Sequence, residues 1–249
     1  MYRRPTLKSA GTILEQNSNR GPGFDILRII LASGVVVWHS FPLTLGSPKL
    51  IYSTPIWFLV NSMVPMFFAL SGFLVIASAQ RNNVQEFVKN RIARIIPALL
   101  FIVIVCTFVI GPIFSSLNFR QYFTNSDTYR YLLNAFGIVS YILPGVFYEN
   151  PYQKVVNGSL WTVRYEILCY ALVSILIFIG RIKNVYYLFS IVALYSLLSF
   201  IYSYSIIYEG VPIVENVLQS GHIRQSVKVI PFFVVGAIFY NFRYRIQIR

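Results

Sequence analysis

Charge is scarce in this chain. Only 12% of its residues are Asp, Glu, Lys or Arg, where ordinary soluble domains carry about 25%. With 56% hydrophobic residues and a mean hydropathy of +0.63, that shortage excludes an ordinary soluble domain and leaves a polytopic membrane protein. Cysteine is nearly absent: Cys106 and Cys169 both fall in apolar runs, without the spacing or neighbours of a disulfide, a zinc site or a nucleophile. Glycine-rich phosphate loops, zinc-ligand spacings and serine nucleophile elbows are lacking, which disfavours nucleotide hydrolysis, metal catalysis and soluble-type hydrolysis. No metal is expected. The first 24 residues have no apolar core or small-residue cleavage site, so they do not read as a removable signal peptide, and the first span serves as its own insertion signal. Nor is there an internal repeat, a low-complexity tract or a linker. One membrane domain over 25–242 is expected, between a cytoplasmic tail (1–24) and a basic cytoplasmic tail (243–249).

Apolar runs are what the chain has in plenty. Stretches near 25–45, 55–79, 95–114, 163–180, 185–207 and 228–242 approach the roughly 20 residues that span a ~30 Å hydrocarbon core. The expected fold class is all-α, a polytopic membrane helical bundle of about six spans. The 18 Tyr and 21 Phe suit aromatic belts at both interfaces. A net charge of +13 invites nucleic acid as a partner, but the basic residues cluster beside the spans. Arg3, Arg4, Lys8 and Arg20 precede the first run, Arg81, Lys89, Arg91 and Arg94 separate the second from the third, Arg181 and Lys183 follow the fourth, and Arg243, Arg245 and Arg249 follow the last. An N-terminus in the cytoplasm puts every cluster on the cytoplasmic side. The bilayer, not nucleic acid, is the expected partner. The stretch YLLNAFGIVSYILPGVF (131–147) is apolar but broken by Gly137, Pro144 and Gly145, and is expected to be re-entrant or interfacial on the external side.

The most informative segment is FDILRIILASGVVVWHS (24–40). Arg28 and His39 are eleven residues apart in it, hence ~16 Å apart along a helix and within ~20° of one face. Asp25 and Ala32 fall on the same stripe, while Ile29, Ile30, Val36 and Val37 point elsewhere. Ionisable groups inside a membrane mark functional sites by default. Simpler roles exist for both: Arg28 can pair with Asp25 or snorkel to the interface, and His39 can be merely interfacial.

Three further segments carry polar groups. VPMFFALSGFLV (64–75) holds Pro65, Ser71 and Gly72, a loosened helix that could line a cavity or pack closely through its small residues. In VQEFVKNRIARIIPALL (84–100), a short amphipathic segment, Arg91 and Arg94 share a face at the cytoplasmic surface. They suit the phosphates of an anionic cofactor, or else anchor the topology. In NGSLWTVRYEILCYAL (157–172), Trp161 sits at the interface and Glu166 about one turn inside the apolar run, with Arg164 directed elsewhere. A carboxylate at that depth needs a partner. It could strut helices, orient an imidazole or bind a sugar hydroxyl.

Together these segments resemble one family, the membrane acyltransferases of the acyltransferase-3 type, which O-acylate carbohydrates. The resemblance runs from about residue 23 to 242. It rests on FDILR followed by WH, which places the family's Arg-x10-His pattern on Arg28 and His39, then FFALSGF (67–73), RIARIIP (91–97), SLWTVRYE (159–166) and FFVVGAIFY (232–240) with Gly236. The region of His39, Ser40, Phe41 and Pro42 looks most like the branch acting on exopolysaccharide. The resemblance implies transfer of an acyl group, acetyl in the simplest case, from acyl-CoA (acetyl-CoA) to a hydroxyl of a surface polysaccharide or lipid-linked glycan in a bacterial inner membrane. It implies His39 as general base or covalent acyl carrier. It also implies Arg91 and Arg94 on the donor's phosphates, Arg28 on the donor or its acyl carbonyl, Glu166 orienting His39 or binding sugar from the external side, and Ser71 and Trp161 along the passage. Family members typically carry more spans than this chain, so an incomplete domain with little turnover of its own is expected. Two rivals stand beside this reading: a transporter of lipid-linked sugar or acyl species, and a non-catalytic remnant.

Overall fold

The computed structural model describes residues 8–17, 21–47, 53–207 and 221–248, without the side chains of 199, 200, 202–207, 221–224 and 248. Helices account for about three quarters of it. A two-residue strand β1 (Lys8–Ser9) leads into α1 (Ala10–Gln16), which Ser9 caps by accepting from the Thr12 amide. Then come α2 (Phe24–Leu45), α3 (Ile56–Ala79) and α4 (Val84–Phe114). After α4 come two short helices, α5 (Phe119–Thr124) and α6 (Ser126–Arg130), and a 3₁₀ turn over Tyr131–Phe136. The chain closes with α7 (Trp161–Phe178), α8 (Val185–Ile207), α9 (Gly221–Asn241) and β2 (Gln247–Ile248). Four helical segments are long and apolar enough to cross a membrane: α2, α3, α4 and Gly158–Phe178, while Val185–Leu198 and Gln225–Asn241 are shorter apolar helices. The all-helical membrane bundle expected from hydropathy is what forms.

Two boundaries differ from expectation. The amphipathic 84–94 segment and the 95–114 run are one helix, α4, continuous across Pro97. Asn83 starts it by accepting from the Glu86 amide, and an interior proline removes a single ladder bond without ending a helix this long. A π-turn over Cys106–Ile110 interrupts its regular winding. The two tails are not independent either. β1 pairs antiparallel with β2, Lys8 opposite Ile248 and Ser9 opposite Gln247, and the Tyr244 hydroxyl donates to Glu15.

The chain divides into two compact units, residues 1–34, 61–82 and 175–249, and residues 35–60 and 83–174. In the first, α3 crosses α9 with backbones nearly touching. A Cβ on Gly72 would stand 1.8 Å from the Phe233 carbonyl oxygen, and one on Gly236 would stand 1.8 Å from that of Ala69. Only glycine permits this approach. Phe73 lies edge-on to Tyr240 at 5.2 Å, and Gln80 donates to Asn241 at 2.7 Å. α8 packs on α9.

In the second unit, Leu99, Val103 and Cys106 of α4 form a core with Tyr122, Tyr131, Leu143, Val146 and Leu160. The 131–147 stretch does not span. Its only helix is the six-residue 3₁₀ turn, far short of a bilayer, and Ser115 pairs with Val146 in an isolated bridge. The buried Tyr122 hydroxyl donates to the Thr107 carbonyl at 2.8 Å, and burial pushes its phenol up to about 12.

Candidate active site

α2 is the least covered span, with 6% of its apolar window buried. Ile29, Ile30, Val36 and Val37 are all exposed, as expected of a lipid-facing side, whereas Arg28 and His39 are half-buried. Asp25 and Ala32, placed on the polar stripe by spacing, are exposed as well. The covered stripe is therefore narrower than the sequence suggests. His39 Nδ1 lies 2.7 Å from the Val35 carbonyl oxygen. A carbonyl only accepts, so Nδ1 carries the proton, and whenever the ring is neutral its lone pair lies on Nε2. One turn of its own helix thus sets the tautomer a general base needs. Arg28 Nη1 pairs with Asp25 Oδ1 at 3.2 Å, and with that carboxylate largely in the open the pair is weak.

A second group of residues meets where α4 faces α7. The Arg91 guanidinium lies 5.5 Å from the ring centre of Phe87 and 5.5 Å from that of Tyr170, the two rings standing edge to face at 6.4 Å. Such stacking favours a delocalised guanidinium. The Tyr170 hydroxyl donates to Glu166 Oε1 at 2.5 Å, and both Arg91 and Arg94 act electrostatically on Tyr170. Sequence reading put the arginines on the cytoplasmic surface and Glu166 at the opposite entrance. The structure brings them to one level, because Phe87, fully buried, seats the first turns of α4 on the middle of α7.

Of the residues named from sequence, then, Arg91, Arg94 and Glu166 share a cluster. Glu166 has Tyr170 as its partner, while Val35 orients His39. Trp161 stacks edge-on with Tyr165 at 5.9 Å, and Arg164 turns away to donate from Nε to the Gly137 carbonyl at 3.3 Å. Ser71 is half-buried in α3 beside Gly72, which approaches the α9 backbone closely. The second histidine, His222, lies in the first turn of α9. Tyr170 and Phe87 were missed. Each stands four residues from a residue that was noticed, Glu166 and Arg91, the helical spacing that joins neighbours on one face.

Apolar helices of spanning length, some carrying half-buried histidine, arginine and carboxylate side chains, define an integral membrane protein. A family model described as an acyltransferase domain matches residues 22–249, and the chain belongs to that acyltransferase family. It is also 30% identical over 166 residues to an O-acetyl transferase of Shigella phage Sf6, covering 65% of this chain and 46% of that relative. The chain therefore spans about half the length of the relative it matches. No solved structure matches it.

Proposed function

We propose that the protein is a membrane O-acyltransferase that moves an acyl group, acetyl in the simplest case, from acyl-CoA to a hydroxyl of a surface polysaccharide or lipid-linked sugar. The observation that supports this most is the bond from His39 Nδ1 to Val35, which leaves Nε2 as an acceptor inside an apolar helix. In the proposed reaction Nε2 takes the proton of the acceptor hydroxyl as its oxygen attacks the thioester carbonyl. The carbon–sulfur bond then breaks, and the departing thiolate receives that proton. Arg91, preset by its two rings, and exposed Arg94 bind the donor's phosphates, while Arg28 lies nearer the cytoplasmic end of α2. The Tyr170 hydroxyl holds the Glu166 carboxylate beside the arginines, where it can accept from a sugar hydroxyl.

Membranes containing the protein, given acyl-labelled CoA, should release free CoA thiol in step with label entering carbohydrate. Transport of sugar without thioester consumption would instead establish the transporter reading. Arg91→Ala with Arg94→Ala should weaken acyl-CoA binding while insertion is retained, each lost charge-assisted contact costing on the order of 1–3 kcal/mol. Unchanged affinity in a direct titration would return both side chains to a topology-anchoring role.

The proposal includes orientation. The basic residues around α1, before α4, and after α9 favour a cytoplasmic N-terminus. Cysteines introduced as Lys8→Cys and Arg81→Cys should resist an impermeant thiol reagent in intact cells and react after permeabilisation. The native Cys106 and Cys169 are buried and give little background. Ready labelling in intact cells would reverse the orientation and with it the side on which the donor is bound.

A further inference from the structure

Between α4 and α7 the chain folds into a cap, and a cavity of about 500 Å³ opens within it, a size typical of small-molecule sites. Its walls are fixed from beneath. Buried Asn134 donates from Nδ2 to the carbonyls of Tyr131 at 2.7 Å and Ser140 at 3.0 Å, and its Oδ1 accepts from the Ser140 amide at 2.9 Å. Ser115 Oγ donates to the Pro144 carbonyl at 2.7 Å, and the Ser116 amide to that of Gly145 at 2.9 Å. A cavity so braced is formed before any ligand arrives.

The chemistry of the lining selects the ligand. Asp127 and Arg130, one turn apart on α6, both line the cavity, yet they do not form an ion pair with each other. The cavity therefore presents a carboxylate that accepts and a guanidinium that donates, with no net charge between them. A hydroxyl-rich neutral ligand satisfies both, because each hydroxyl donates and accepts. A phosphate or nucleotide would meet the Asp127 charge, and an acyl chain would leave both groups unsatisfied. Ile138, Pro144 and the Tyr148 ring, which holds the Lys154 ammonium at 5.0 Å, supply apolar surface for the C–H face of a sugar. The cap also abuts the end of α2. Gly46, seven residues beyond His39, lies so close to Pro151 that a Cβ on it would stand 2.9 Å from the Pro151 carbonyl oxygen.

We infer that this cavity binds a neutral sugar segment of the acceptor glycan and holds it beside the end of the helix that carries His39. The inference rests on the acyl-transfer reading above. Its test uses the whole chain in lipid nanodiscs, labelled acetyl-CoA, and polysaccharide released from the surface of the producing cells. Asp127→Asn and Arg130→Gln should each raise the acceptor KM about tenfold, as expected for losing a hydrogen bond to a charged group. The donor KM should move less than about twofold. Arg120→Gln, on the same cap but outside the cavity, should change neither. An unaltered acceptor KM, or an equal rise in the donor KM, overturns the inference and leaves acyl transfer standing. Should the wild type transfer no acyl group, the acyl-transfer reading fails, and calorimetric titration with the same polysaccharide decides the cavity. Binding weakened tenfold by Arg130→Gln upholds it, and absent or unaltered binding overturns it.

Discussion

His39→Ala should lower acyl transfer by about 10²–10⁴-fold, the usual effect of removing a positioned general base, and by more if the ring carries the acyl group. The bond to Val35 joins two residues of one helix turn, so its loss leaves the helix ladder and membrane insertion intact. His39→Gln is the sharper variant. A glutamine amide can still reach a backbone carbonyl, but it has no basic nitrogen to put where Nε2 stands, so it should be as inactive as alanine. His222→Ala, in the first turn of α9, should keep the wild-type rate. Incorporation of labelled acyl groups into carbohydrate measures all three, and activity persisting in both His39 variants would sink the mechanism.

Gly236→Val should destabilise the protein by at least the 1–3 kcal/mol typical of overpacking. The added Cβ would overlap the Ala69 carbonyl oxygen and crowd the Phe73 amide at 3.0 Å. Both obstacles are backbone in α3, so relief requires the two helices to part along their whole crossing. Gly34→Ala is the matched control. Its Cβ would meet the Met63 methyl at 2.6 Å, the far end of a flexible side chain that can swing aside. Denaturant titration in mixed micelles should separate the two clearly. A Gly236→Val protein as stable as wild type would mean that α3 and α9 do not approach as described.

The spans were legible in the sequence because lipid imposes a length and a composition that hydropathy reads directly. The polar stripe of α2 was legible by period, since Arg28 and His39 needed only helical geometry to be related. The 131–147 stretch gave itself away through Gly137, Pro144 and Gly145. The change from the basic, amphipathic 84–94 segment to the apolar 95–114 run misled, because composition shifts there while the helix continues through Pro97 at small cost. Nothing in the sequence could pair Arg91 with Tyr170, as that contact depends on how far α4 slides along α7, a register set by Phe87 and not by spacing. The cap cavity was equally hidden. It depends on how Asn134 and Ser115 tie the 131–145 loop to the short helix that carries Asp127 and Arg130, which spacing does not reveal.

The short ladder between β1 and β2 carries a constraint of parity. Lys8 and Ser9 can hydrogen-bond with Ile248 and Gln247 only on one side of the bilayer, so the chain between them must traverse it an even number of times, whichever way it faces. Four crossings, one for each segment long and apolar enough to span, would satisfy this condition. α8 and α9 must consequently cross together or not at all; a topology in which one traverses and the other lies at the surface is forbidden while the ladder holds.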